Sequence, residues 1–493
     1  MKQKYIILTA IILIYLPVTI DATILYIAMP TLSAALNLSS SQLLWVLDIY
    51  SLIMAGLILP MGALGDRIGY KKLMLIGATV FALASFMAAF SNSAYMLIGA
   101  RALLGLGAAM ILPATLAGVR QTFTNDKQRN YALGIWSTVG GGGAAVGPLL
   151  GGFILEYFDW GMIFLINIPI ILVVIFLSLR YIPKQNTNKS QNLHLKQALI
   201  LISAILMLIY AVKSAFYAIN MSVFLLFSLG LLCLIYFIRN QKKSINPMID
   251  VSLFKNRIIS TSIVMSTFAM IALVGFELLL SQELQLIYNY TPLEAGMFIL
   301  PFMLAISLGG PIAGYVMNRY PLYKIATVGM FFCALSFLGL ANIDFQDDAM
   351  SAWFWMVVMG LSIEISFLSS TSAIMSSTPS HKATAAGAIE GMAYELGAGL
   401  GITIFGLLLS YFYTASFIVP EQITTLEIQY GVTETLNVAT SIEDKQISQQ
   451  LVDAAHRSFS FAHQQVLYVA SGVFLSLSIF VYMRLKNTPY NPI

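Results

Sequence analysis

The chain has 493 residues, 58% of them hydrophobic and only 10% charged. An average soluble domain carries about 25% charged residues, so a water-soluble protein is excluded, and a net charge of +4 does not mark a nucleic-acid binder. The two cysteines, Cys233 and Cys333, lie in apolar runs and fit buried packing rather than a disulfide or a metal site.

The first thirty residues have a basic start and an apolar stretch, as a signal peptide does. That stretch runs too long and no small-x-small cleavage pattern follows, so it reads as an uncleaved first membrane helix. Crossing a bilayer takes roughly 20 apolar residues, and hydropathy predicts fourteen such spans. They cover residues 6–29, 42–62, 73–91, 95–117, 130–153, 161–180, 197–213, 221–238, 258–282, 293–317, 325–343, 350–372, 385–410 and 460–483. Lipid requires closed backbone hydrogen bonding, and the alternating ten-residue strands of a barrel are missing, so the spans are predicted to be helices.

Lysine and arginine gather in the two ends and in alternate loops such as GDRIGYKK, RQTFTNDKQR and RNQKKSINPMIDVSLFKNR. Only Arg101, Lys213, Lys445 and Arg457 fall elsewhere. The positive-inside rule then places both termini in the cytoplasm, and an even number of spans agrees. On the other side, residues 411–458 carry six acids against two bases. They read as a solvated connection or as a small helical hairpin over the outer mouth, with Ser441 a candidate N-cap for the last part.

The stretch GALGDRIGYKK after the second span returns in weaker form as GYVMNRYPLYK after the tenth, keeping Gly314, Arg319 and Lys324. In the second copy Asn318 replaces the acid and Pro321 the turn glycine. This implies two six-helix halves, residues 1–183 and 258–493, with two extra helices in 184–257 between them. Parallel repeats of this kind build transporters with the site at the midplane. The expected fold is therefore an all-α integral membrane protein of fourteen transmembrane helices, and no enzyme.

The motifs sharpen the expectation. GALGDRIGYKK, with Gly62, Asp66, Arg67, Gly69 and Lys71, resembles the cytoplasmic signature of the major facilitator superfamily. IDATILYIAMP (20–30) resembles the first-span motif of its fourteen-helix drug/proton antiporter group, and RALLGLGAA (101–109) its fourth-span motif. GAAVGPLLGG (143–152), with Gly143, Gly147, Pro148, Gly151 and Gly152, is similar to its fifth-span antiporter motif, and FLINIP (164–169) to a sixth-span stretch. Within that group the chain looks most like exporters of quaternary ammonium compounds, cationic dyes and viologens. The resemblance implies proton-coupled export by alternating access and a part for Asp21 and Arg101 in proton coupling. An importer or symporter of a small organic nutrient on the same fold is the alternative. Either way the partners are small molecules, protons and lipid, with no cofactor, no metal, no nucleic acid and a monomeric chain.

Ionisable groups inside a membrane are costly, so each is a functional candidate. Asp21, Asp48, Glu277, Glu364, Glu390 and Glu395 lie within the predicted spans, against one base, Arg101. At about 1.5 Å per helical residue, Asp21, Asp48 and Arg101 lie ~9–12 Å below the outer surface, so Arg101 can pair with either acid or snorkel outward. Trp45 and Asp48 are three apart and share a helix face. With neighbouring Tyr50 they offer a cage for an organic cation, combining cation–π attraction with charge neutralisation. Glu390 and Glu395 sit five apart in GAIEGMAYELGAGLG and are candidates for cation or proton binding. Glu364 and Tyr394 are weaker cargo candidates, and Glu277 lies close enough to the outside to be merely solvated. Trp136, Trp353 and Trp355 read as lining or packing, and the four histidines as loop residues. Gly143, Gly147 and Gly151 form one stripe along a helix, a close packing face for a neighbour, with Pro148 adding a bend. Asp66 is expected to latch a gate, against a helix N-terminus or a basic loop residue such as Arg129.

Overall fold

The computed structural model describes residues 2–183, 194–218, 220–244, 247–317, 319–378, 383–419 and 431–486. Among these, sixteen α-helices account for the fold. The first six spans are α1 (Lys2–Leu36), α2 (Ser40–Ile68), α3 (Tyr70–Ala89), α4 (Ala94–Thr122), α5 (Asp126–Tyr157), and α6 (Met162–Leu165) run on into α7 (Asn167–Tyr181). Two further spans, α8 (Leu195–Tyr217) and α9 (Met221–Lys243), lead through a 3-10 turn at Val251–Lys255. The remaining six are α10 (Arg257–Leu286), α11 (Pro292–Met317), α12 (Leu322–Leu340), α13 (Ala349–Ser377), α14 (Ala383–Ser416) and α16 (Lys445–Leu485). The short α15 (Val432–Ser441) lies between the last two. Fourteen helices are thus long and apolar enough to cross a membrane.

Local chemistry sets the ends. Asn37 takes a left-handed backbone (φ 49°) that stops α1, and Ser39 with Gln42 then forms a reciprocal capping box on α2. Ser93, Asn125, Asn220 and Asn256 cap α4, α5, α9 and α10, each side chain accepting from one backbone N–H.

The repeat inferred from the two loops is visible in the packing. In the first half α1 packs on α5, α2 on α4 and α3 on α4; in the second, α10 packs on α14, α11 on α13 and α12 on α13. The halves meet through the equivalent pairs α2–α14 and α5–α11, together with α1–α10. The extra pair packs together, and α8 also leans on both α2 and α14, so it straddles the seam.

Contacts across the seam favour the face opposite the termini, hereafter the far face. Ser281 and Gln285 of α10 donate to the carbonyls of Tyr26 and Ile27 on α1. Pro148 meets Gly296, and Gly152 meets Pro292. The far-face segment corrects one expectation. Among the described residues of 411–458, α14 extends to Ser416, and α16 starts at Lys445 and runs unbroken into the last span. Asp444 is the N-cap of α16, while Ser441 ends α15. Glu434 of α15 accepts from the backbone N–H of Ser40 at 2.7 Å and from its hydroxyl at 2.8 Å, pinning α15 to the start of α2.

Candidate functional site

The first cluster joins α1, α2 and α4. Asp21 and Arg101 are 1% and 2% exposed, and the Arg101 guanidinium donates to Asp21 Oδ2. Arg101 Nε–H also donates to the Val46 carbonyl at 3.1 Å, and its guanidinium lies 4.6 Å from the Tyr50 ring centroid. Tyr50 in turn donates to the Val18 carbonyl at 3.2 Å. Gly105 makes this possible, because a methyl group there would lie 2.5 Å from the Tyr50 carbonyl oxygen. The depth estimate therefore brings Arg101 to Asp21, not to Asp48, and snorkelling is ruled out by burial. Tyr50 belongs with Arg101, so it does not share the cage with Asp48.

The second cluster contains a residue that sequence reasoning missed. Asp48 is fully buried, and its Oδ2 receives the ammonium of Lys213 from α8 at 2.5 Å. The same ammonium lies 4.0 Å from the Trp45 ring centroid. Thr403 of α14 completes the group by donating to Asp48 Oδ2 at 2.9 Å. Asp48 and the Trp45 ring thus both face one ammonium, that of Lys213. Arg101 is thus not the only buried base. The signal was a single basic residue at the end of an apolar run, in no basic loop.

The acids of the second half are more dispersed. Glu390 accepts from Thr371 at 2.7 Å and from Tyr394 at 3.0 Å, with Phe367 edge-on to the Tyr394 ring. Glu395 lies instead against Ser51 of α2, within electrostatic range of Tyr15, Tyr26 and Tyr50. Glu364 rests against Gly309 and Gly310 on the α11–α13 seam rather than with Asp48. Glu277 is 0% exposed, and neither carboxylate oxygen meets a hydrogen-bond partner among the described residues. It is not solvated, and an acid buried without a partner is costly enough to be a candidate. Glu283 and His463 form a further buried pair between α10 and α16, so His463 is no loop residue. His381 lies outside the described residues. Trp136 stacks on Tyr15 and donates to Thr115, Trp355 packs on Gly339, and Trp353 packs on Phe298.

Two motifs act through backbone geometry. Gly69 has φ 87°, a left-handed conformation that favours glycine, and it links α2 directly to α3. Lys71 then donates to the carbonyls of Leu179 (3.2 Å) and Ile182 (2.5 Å), capping the end of α7 with a cation. Gly62 faces Pro113, while Asp66 and Arg67 are exposed. In α5 the stripe Gly143, Gly147 and Gly151 packs on Thr19, Thr23 and Ile24 of α1, inside one half. Thr23 seals it by donating to the Ala144 carbonyl at 2.9 Å. Pro148 and Gly152 face α11 of the other half, as does Gly141, whose carbonyl accepts from Ser307 at 3.2 Å. Gly140 packs on Tyr15, and Gly142 faces open space. The glycine-rich stretch is therefore a two-sided wedge between α1 and α11.

Comparison with known proteins decides the family. The chain matches the Major Facilitator Superfamily over residues 11–402. It belongs to that superfamily. This all-α transporter fold has two six-helix halves with two helices inserted between them, and the chain is a multi-pass membrane protein. It is 50% identical over 493 residues to the methyl viologen resistance protein SmvA of Salmonella typhimurium strain LT2, covering 99% of both chains. It is also 32% identical to the multidrug efflux pump LfrA of Mycolicibacterium smegmatis, over 97% of this chain and 96% of that one. Among solved structures, a bacterial homolog of the human lysosomal transporter Spinster, inward-facing and unoccupied, matches with a TM-score of 0.69. That match covers 100% of this chain and 99% of the other at 14% identity, which supports the superfamily fold alone.

Proposed function

We propose that the protein exports lipophilic organic cations (quaternary ammonium biocides, cationic dyes and viologens) in exchange for protons. The observation that carries this reading is the buried Asp48 beside the face of Trp45, a site holding a cation at the seam between the halves. Identity of 50% to a protein named for methyl viologen resistance supports the cargo class. Asp21 with Arg101 is the proton-responsive pair. An ion pair in a dry interior is strong but intolerant of losing one charge, so protonation of Asp21 frees Arg101 and its contacts to Val46 and Tyr50. Glu390, Glu395 and the unpartnered Glu277 are further proton sites, Tyr394 supports Glu390, and Glu364 is a secondary cargo contact.

The moving units are residues 1–183 and 258–493, rocking about the α2–α14 and α5–α11 seams, with 184–257 riding between them. The seam contacts near the far face define a state closed there. GDRIGYKK, with Asp66 as its acid, latches the opposite face in the other state. The chain works as a monomer in the cell membrane with both termini cytoplasmic, so the far face is the outside. Each charge moved across the membrane is worth about 2.3 kcal/mol per 100 mV, so a dication requires exchange for more than one proton.

The test is uptake of ethidium or methyl viologen into inverted membrane vesicles, with and without a protonophore. Accumulation that vanishes with the proton gradient is expected. Accumulation that persists after collapse of the gradient rules out antiport, and gradient-driven release of preloaded cargo in place of uptake points to import.

A further inference from the structure

Lys213 turns the cation cage into a site with its own occupant. Its ammonium makes the two contacts that an organic cation would make there, 2.5 Å from Asp48 Oδ2 and 4.0 Å from the Trp45 centroid. Lys213 is 2% exposed, so no cargo enters the cage while it stays. Yet the pair is not a finished structural ion pair. Asp48 Oδ1 is buried and meets no hydrogen-bond partner among the described residues, whereas a structural buried carboxylate normally has both oxygens satisfied. The lysine also has an exit. α8 ends at Tyr217 on the far-face side, four residues beyond Lys213. That is ~6 Å of helix, within reach of a flexible four-carbon stem whose ammonium can snorkel to the interface.

We propose that Lys213 is a tethered counter-cation, carried by the inserted helix α8, which fills the Asp48–Trp45 site when no cargo is present and is displaced outward by a cationic substrate. The proposal rests on the reading of Asp48 as the cargo site. It assigns the inserted helices a task. Placed against both α2 and α14, α8 keeps the empty seam electrically neutral and sets the threshold that a cargo cation must beat. A cation that combines positive charge with a large apolar surface gains from burial and from the Trp45 face. A small hydrated cation gains neither and does not displace the lysine. Selectivity for lipophilic cations follows from this competition.

The experiment is tetraphenylphosphonium binding to the purified full-length protein in lipid nanodiscs at mildly alkaline pH. Lys213→Met, which keeps the stem and removes the charge, is expected to tighten binding about tenfold. Lys213→Arg is expected to bind as the unsubstituted protein does, and Asp48→Asn to lose binding. If Lys213→Met leaves affinity unchanged or weaker while Asp48→Asn still abolishes it, Lys213 is a structural partner and the proposal fails alone. If Asp48→Asn binds normally, the assignment of the cargo site falls and takes the proposal with it. A second measurement needs no variant. Labelling of Lys213 by a water-soluble amine reagent, read by peptide mass spectrometry, should rise several-fold with saturating tetraphenylphosphonium. An unchanged labelling rate in protein that binds the cation overturns displacement.

Discussion

Thr403 donates a hydrogen bond of 2.9 Å to Asp48 Oδ2, the oxygen that also holds the Lys213 ammonium. One bond thus ties α14 to α2 across the seam at the carboxylate proposed to bind cargo. A hydrogen bond to a charged group is worth about 1.5–3 kcal/mol, enough to bias a two-state equilibrium by tenfold or more. Thr403→Val keeps the shape and removes the donor, so it should weaken the state closed at the far face. Its readout is labelling of a Leu43→Cys reporter, at a buried position one turn into α2, by an impermeant maleimide, which should speed up by about tenfold. An unchanged rate would mean that the bond does not contribute to far-face closure.

The Asp21–Arg101 pair predicts a separation of stability from coupling. Removing one partner of a buried ion pair costs about 3–5 kcal/mol because the other charge is left uncompensated. Arg101→Gln alone should therefore lower the thermal midpoint in detergent clearly, and Asp21→Asn alone should do likewise. The double variant Asp21→Asn with Arg101→Gln should regain most of that stability and still lose gradient-driven efflux. Cation binding at Asp48 should survive in it. A double variant with normal proton-driven efflux would remove this pair from the coupling mechanism.

What sequence made legible follows from what is local. Spans and the glycine stripe depend on neighbours within a few residues, and all fourteen expected spans are helices of membrane-crossing length. The Asp21–Arg101 contact was within reach because depth along a helix is also local, and both residues sit at one depth. Lys213 was not, since its position at the end of an apolar run is indistinguishable from that of a residue that sets topology. Only the packing of α8 on α2 and α14 brings its ammonium to Trp45. Glu277 was discounted for the same reason: depth suggested solvent, but the packing of α10 buries it completely. Ser441 as a cap failed differently. The residue types are right for an N-cap, but Asp444 has both the position and the geometry, accepting from Gln446 and Ile447.

The two faces of the glycine wedge predict two different failures. A methyl group at Gly147 would sit 2.0 Å from Thr23 Oγ1, and one at Gly152 would sit 2.6 Å from the Pro292 carbonyl oxygen. The first contact is inside one half, where overpacking costs about 1–3 kcal/mol and has nowhere to go. Gly147→Ala should therefore lower thermal stability. The second contact lies on the α5–α11 seam between the halves, so Gly152→Ala should be relieved by parting them at the far face. It should leave the thermal midpoint near that of the unsubstituted chain, raise far-face labelling of Leu43→Cys, and reduce efflux. Gly142→Ala, which meets nothing within 4 Å, is the control and should behave as the unsubstituted protein in all three assays. A loss of efflux in Gly142→Ala equal to that in Gly152→Ala would show that helix flexibility, not the seam, is what the glycines supply.

Among the described residues, α15 is a far-face helix that lies outside the repeat. Its Glu434 carboxylate takes both the backbone N–H and the hydroxyl of Ser40, at 2.7 and 2.8 Å, in the first turn of α2. That is an anion at a helix N-terminus, favoured both by the unpaired N–H groups and by the helix dipole. The same first turn of α15 is held by Tyr413, whose hydroxyl donates to Thr435 at 2.7 Å, and its other end by Ser448, which donates to the Ala439 carbonyl at 2.7 Å. α15 therefore bridges the first half to α14 and α16, and must let go of one side when the far face opens. Among the described residues, the charged contact to Ser40 is a hydrogen-bonded link between the halves, so it breaks when α15 leaves the first half. Glu434→Gln should lose about 1 kcal/mol of this bridge, seen as faster amide hydrogen exchange across 432–441. Exchange in the body of α16 should not change, because Tyr413 and Ser448 still hold α15 to the second half. If exchange rises equally through 445–460, α15 and α16 open as one unit and the hinge lies elsewhere.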